Sequence, residues 1–202
     1  MTNLPAPAWR LAAGTAGLVV TSALVHREHV DDAEEKVFTM VNKLSDHLYK
    51  PLWVVMQAGA LGAAPAAGAT AWLAGDRRLA IRLVAGGSAT WALSKVVKRF
   101  ARRPRPAFLI PTTRVRGSDA SGLGYVSGHA GVAVALGIAS LPHLGRSGRV
   151  LVAVLIPAVG VARIYVGAHL PLDILGGAAL GLAIEGALAL CQPTLWRSPA
   201  AD

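Results

Sequence analysis

Three short stretches of the chain hold side chains able to handle a phosphoryl group. In Ser127-Gly128-His129 a cap residue, a flexible backbone and a titratable ring stand where a polar loop turns into a long apolar run. Ser127 can cap the helix, the Gly128 and His129 N–H groups can face an oxyanion, and His129 can give a proton to a leaving alkoxide near neutral pH. Lys98 and, after six residues, Arg105-Pro106 put two cations on a loop stiffened by proline; Arg105 is a planar fork suited to gripping a phosphoryl group through two bonds. Arg163, His169 and Asp173 make the third stretch. His169 and Asp173 are four apart, one helical face if the turn at Pro171 is helical. The carboxylate can then take one ring N–H and leave the other nitrogen as a nucleophile, with Arg163 clamping the same phosphate. Each stretch also has a plainer reading: a basic face on lipid headgroups, a helix cap beside an interfacial histidine, or an ion pair of Arg163 with Asp173.

The elements that must position these residues are membrane elements. Over 202 residues the chain is 53% hydrophobic and 15% charged, with a mean hydropathy of +0.48, too apolar for an ordinary soluble domain. It reads as one membrane domain covering residues 1–202. The net charge of +9 is concentrated in Lys95, Lys98, Arg99, Arg102, Arg103, Arg105, Arg114 and Arg116, with no acidic residue among them before Asp119. Nucleic acid is not the expected partner, because only Phe100, Phe108 and Tyr125 offer stacking rings nearby. Lipid headgroups or a substrate phosphate suit the patch better. The single cysteine, Cys191, excludes an internal disulfide and a cysteine metal cluster and reads as packing. Residues 11–25 lack a convincing cleavage site and are expected to be retained.

Six spanning helices are expected, at 11–25, 51–75, 79–97, 127–144, 150–166 and 171–191. Trp9, Arg10, His26 and Arg27 are expected to anchor the first at the interface. Between the first two, residues 28–50 place Val30, Ala33, Val37, Val41, Leu44 and Leu48 at helical spacing, with Glu28, Asp31, Asp32, Glu34, Glu35 and Asp46 opposite. That pattern predicts an amphipathic helix lying on the membrane beside the site. Arg82 is placed to snorkel and Asp76-Arg77-Arg78 to turn a helical hairpin. The loop after Lys98 carries Pro104, Pro106 and Pro111 and cannot be one helix. With six spans, the third-to-fourth and fifth-to-sixth connections share a face, where the three polar stretches meet.

The order Lys98-(six residues)-Arg105-Pro106, Ser127-Gly128-His129, Arg163-(five residues)-His169-(three residues)-Asp173 resembles the three-part signature of the type 2 phosphatidic acid phosphatase (PAP2) family. The signature covers residues 98–173, and the six-segment layout extends the likeness to most of the chain. The resemblance implies an all-α membrane bundle that removes phosphate from a lipid through a phosphohistidine. His169 would attack phosphorus, Asp173 would orient it, and His129 would protonate the departing oxygen and then activate water. Lys98, Arg105, Arg163, Ser127 and Gly128 would hold the phosphoryl oxygens. No metal or other cofactor is implied, and the sequence supplies no carboxylate cluster for one. A polyprenyl (di)phosphate carrier of envelope synthesis is the expected substrate, with phosphatidic acid or phosphatidylglycerol phosphate as alternatives and a non-catalytic lipid or anion binder or transporter as the rival class.

Val126 stands where the family commonly has proline, and Ala162 where it commonly has serine. Neither change touches a nucleophile or proton donor, so activity is expected and substrate preference is left open. His26, His29, His47 and His143 are read as non-catalytic, and Glu185 as facing the bundle or protonated. The expected location is the bacterial cytoplasmic membrane with the site outside. Counting Lys and Arg favours the opposite orientation, but those residues serve phosphate binding as well.

Overall fold

Backbone amides in apolar surroundings must bond within their own segment, and the apolar runs accordingly fold as helices. The computed structural model describes residues 6–25, 28–117 and 121–195, and among them there is no strand, only an isolated bridge between Pro104 and Leu123. The helices are α1 (Pro7–Leu24), α2 (Asp32–Asn42), α3 (Tyr49–Met56), α4 (Ala63–Leu73), α5 (Arg77–Ala101), α6 (Pro106–Leu109), α7 (Gly128–Ser140), α8 (Arg146–Tyr165) and α9 (Pro171–Leu195).

The middle of the bundle is α7, whose residues Ala130 to Leu136 are all buried. It packs against α5, α8 and α9, and α1 lies along the outer side of α9. Small residues set how close α7 and α9 come. A Cβ on Gly177 would sit 2.2 Å from the Ser127 carbonyl oxygen, and one on Gly181 would sit 2.1 Å from that of Gly131. The two backbones therefore touch, and the head of α9 is fixed beside the head of α7.

The second segment differs from expectation, and the six spans are matched only in part. The second apolar segment is not one helix: it breaks after residue 59, and the pair Asp46–Gly59 and Ala63–Leu73 is bent by 67°. Among the described residues, two helices, Arg146–Tyr165 and Pro171–Cys191, are long and apolar enough to cross a membrane, or three with the bent pair as one span. The rest fall short for physical reasons. Arg10 lies inside α1; α5 carries Arg77, Arg78, Arg82, Lys95, Lys98 and Arg99; α7 has 13 residues before a 3-10 turn.

The amphipathic helix is α2 alone, shorter than 28–50, and one acidic residue of its polar side, Glu34, turns inward while Val41 stays half-buried against the core. Glu34, Phe38 and Asn42 form the buried stripe, while Val37, Met40 and the following Leu44 are exposed. Arg10 and Arg82 do not reach for the interface; both pair with Glu185, which faces the bundle and is buried between them. Cys191 is exposed rather than packed. Asp76 caps α5 through the Leu79 N–H at 2.9 Å and pairs with His143 at 2.9 Å, so that histidine belongs to the hairpin ends. His26 and Arg27 lie outside the described residues.

Candidate active site

Each polar stretch is tied to the next by backbone as well as side-chain bonds. Lys98 stands in the last turn of α5, and its Nζ donates to the Leu123 and Gly124 carbonyls at 2.9 and 2.7 Å. The Gly124 N–H in turn donates to the Arg103 carbonyl at 2.8 Å. Arg102, with φ of 53°, ends α5 and turns the chain into the Arg103–Pro106 stretch. These bonds hold the loop before Arg105 against the segment that leads into α7.

At the head of α7, Ser127 is fully buried and caps the helix, its Oγ accepting from the Ala130 N–H at 3.4 Å. Its own N–H donates to the Asp173 carbonyl at 2.8 Å, which couples the second stretch to the third. Gly128 has the Ser94 hydroxyl against it, where a Cβ would lie 3.1 Å away. His129 is half-buried, and its carbonyl abuts Gly59, where a Cβ would lie 2.3 Å from that oxygen.

The third stretch begins at the end of α8. Gly167, with φ of 75°, turns the chain, and a Cβ there would meet the Arg114 carbonyl at 2.6 Å. The turn is strapped from outside: Arg116 donates to the Tyr165 carbonyl at 2.7 Å, and Asn42 donates to the carbonyls of Tyr165 and Arg114 at 3.0 and 2.9 Å. His169 and Asp173 are both buried, with His169 Nδ1 3.5 Å from Asp173 Oδ2. That pair is within ion-pair reach but outside hydrogen-bond geometry. Asp173 is held from both sides, Oδ2 accepting from the Leu170 N–H at 2.9 Å and Oδ1 from Arg103 Nη1 at 3.0 Å.

Burial first, then the charges of Lys98, Arg163, Arg105 and His129, hold the His169 imidazole well below its usual range. The ring is therefore neutral at pH 7, with Nδ1 toward Asp173 and Nε2 left for other work. Arg105 also donates to the Ala168 carbonyl at 3.3 Å, and the buried Arg163 reaches the Met56 sulfur at 3.5 Å. All eight candidate residues from the three stretches thus meet at one end of the bundle. Among the described residues no three His, Cys, Asp or Glu side chains are grouped to hold a metal ion.

Two residues escaped the sequence reading. Arg103, 1% exposed, bonds Glu34 through both terminal nitrogens at 3.1 and 2.5 Å as well as Asp173. Burial works against its charge, and the two carboxylates outweigh that and push its pKa up. The residue types carried a signal, a run of eight cations in which one could be structural, but nothing local marked Glu34 as its partner.

A helical bundle with a buried His–Asp pair ringed by cations defines the class, and the comparisons place it. The chain belongs to the PAP2 superfamily, whose profile matches residues 79–197. Decaprenylphosphoryl-5-phosphoribose phosphatase of Mycobacterium tuberculosis is 35% identical over 105 residues, covering 50% of this chain and 56% of that protein. The chain thus spans about half the length of the curated relatives it matches. The fold is shared with a transmembrane PAP2-type phosphatidylglycerolphosphate phosphatase from Bacillus subtilis, at a TM-score of 0.76 and 20% identity over 94% of this chain and 98% of the other. It is also shared with Aquifex aeolicus LpxE, at 0.70 and 19% over 82% and 99%. With its membrane-length helices and this fold, the chain is an integral membrane protein.

Proposed function

We propose that the chain is a lipid phosphate phosphatase that works through a phosphohistidine at His169. Nε2 of the neutral ring attacks phosphorus and a P–N bond forms as the P–O bond to the lipid breaks. The leaving oxygen keeps the electron pair and takes a proton from His129. Water, deprotonated by His129, then breaks the P–N bond and releases inorganic phosphate. Lys98, Arg105 and Arg163 hold the phosphoryl oxygens as charge builds, with the Gly128 and His129 N–H groups at the helix N-terminus. Asp173 keeps the Nδ1 proton in place. The observation that carries this reading is a buried imidazole 3.5 Å from a buried carboxylate, at the end of the bundle where the three polar stretches come together.

In this reading six segments cross the membrane: α1, the bent α3–α4 pair, α5, α7, α8 and α9. Arg10, at the start of α1, pairs with Glu185, about 18 Å along α9 from Asp173 at 1.5 Å per residue. The start of α1 and the site therefore occupy opposite ends, and a cytoplasmic N-terminus puts the site on the outer face. The substrate favoured is a polyprenyl phosphate or diphosphate. The Mycobacterium tuberculosis relative is named for a decaprenyl lipid. An apolar groove of about 300 Å³ between α4, α7 and α8, lined by Ala58, Ala63, Ala67, Ala133, Leu136 and Ile156, runs from beside Gly59 down the bundle. Gly59 is the residue against the His129 carbonyl, so a chain lying in the groove leads to the reacting centre.

The test is phosphate release by purified protein from polyprenyl diphosphates, polyprenyl-phosphate sugars, phosphatidic acid and phosphatidylglycerol phosphate, in chelator, beside His169→Ala. Turnover of a polyprenyl substrate that falls by orders of magnitude in the variant is expected. Equal binding and no turnover in both proteins would favour a non-catalytic lipid binder, and preference for a glycerolipid would reassign the substrate.

A further inference from the structure

We infer that Glu34, on the short helix α2, is a positioning residue for the His169–Asp173 pair, acting through Arg103. This inference rests on the proposed role of His169.

Every residue of the relay is buried. Glu34 Oε1 accepts from Arg103 Nη1 at 3.1 Å and Oε2 from Nη2 at 2.5 Å, a two-pronged grip that fixes the plane of the guanidinium. The same Nη1 reaches Asp173 Oδ1 at 3.0 Å. Glu34 Oε1 also accepts from the Leu172 N–H at 2.8 Å, in the first turn of α9, so one carboxylate holds both the cation and the helix that carries Asp173. Asp173 Oδ2 already takes the Leu170 N–H at 2.9 Å. With Oδ1 on Arg103 and Oδ2 on Leu170, the carboxylate plane is set, and Oδ2 faces His169 Nδ1.

Glu34 also decides where the charge of Arg103 goes. With Glu34 ionised, the guanidinium is shared between two carboxylates, and Asp173 retains negative charge toward the ring. Without it, Arg103 turns wholly to Asp173 and draws the carboxylate away from Nδ1. The ring then loses its preference for the tautomer with Nδ1 protonated, and the Nε2 lone pair is no longer always available. Of the residues on α2, only Glu34, Phe38 and Asn42 are buried, and Glu34 is the one whose head group meets the site's ion pairs.

The experiment compares wild type with Glu34→Gln and Glu34→Asp in detergent, using histidine-labelled protein. The His169 ring nitrogens are assigned by their loss in His169→Gln. Wild type is expected to show one tautomer, with Nδ1 protonated. Glu34→Gln is expected to shift the ring nitrogens toward a mixture and to lower kcat for farnesyl diphosphate by about 10–100-fold with KM nearly unchanged, by analogy with the loss of a partner that orients a metal-bound histidine. Glu34→Asp restores part of both. Ring shifts identical in wild type and Glu34→Gln overturn the inference, as does a loss confined to KM. If Glu34→Gln does not fold, Glu34→Asp decides on the same ring readout. Because tautomer shifts need no turnover, a moved ring in a protein that releases no phosphate would condemn the phosphatase reading and spare the relay.

Discussion

Gly177→Ala tests whether backbone contact between α7 and α9 sets the site. The added Cβ would stand 2.2 Å from the Ser127 carbonyl oxygen, against the 3.4 Å at which ordinary contact begins. The Ser127 atoms it would meet are backbone with no rotamer to give, so α9 must retreat by about 1.2 Å, an overpacking strain of about 1–3 kcal/mol. The retreat stretches the 2.8 Å bond from the Ser127 N–H to the Asp173 carbonyl past useful range and moves Asp173 and His169 off His129. A misplacement of about 1 Å in a reacting constellation costs about 100-fold in turnover. Phosphate release and thermal unfolding in detergent measure both effects. Gly62→Ala is the control, since that glycine has α-helical angles and nothing within 4 Å of an added Cβ. Wild-type turnover and stability in Gly177→Ala would refute the packing account.

Three further outcomes are expected. Since the folded protein keeps the His169 ring neutral well below its usual pKa of about 6.5 while the unfolded chain protonates it near that value, stability is lost as pH falls below about 6.5; thermal scans at neutral and mildly acid pH should show a smaller acid loss in His169→Gln than in wild type. Asn42→Ala removes bonds to Tyr165 and Arg114 and leaves the Arg114 N–H without its 2.8 Å acceptor, lowering stability by about 2–3 kcal/mol in denaturation and exposing residues 110–117 to faster hydrogen exchange. Glu185→Gln leaves Arg10 and Arg82 facing each other without their shared anion, which destabilises by about 3–5 kcal/mol but leaves kcat per folded molecule unchanged, since the triad lies at the end away from His169.

The family and the gathering of Lys98, Arg105, His129, Arg163, His169 and Asp173 at one end of the bundle were legible in the sequence because these residues stand in motifs whose order survives folding. What the pattern did not mark was which polar residues of an amphipathic segment turn inward. In α2 the stripe of Val37 and Met40 turns outward, and Glu34 and Asn42 turn in to meet partners 69 and more residues away. Arg10 and Arg82 looked like interfacial anchors for the same reason: their partner Glu185 lies more than a hundred residues on. The 67° bend between α3 and α4 left no trace in hydropathy, because residues 51–75 stay uncharged through it.

Where α7 and α9 touch through bare backbone, there is no side chain left to vary. If the apolar trough holds the lipid as proposed, a change of lipid preference comes from the opposite flank, where alanines of α4 and α7 line it with Ile156 of α8 and larger residues would shorten it. Under the proposed function, selectivity and turnover fall on different walls of the same bundle, so one can drift while the other stays fixed.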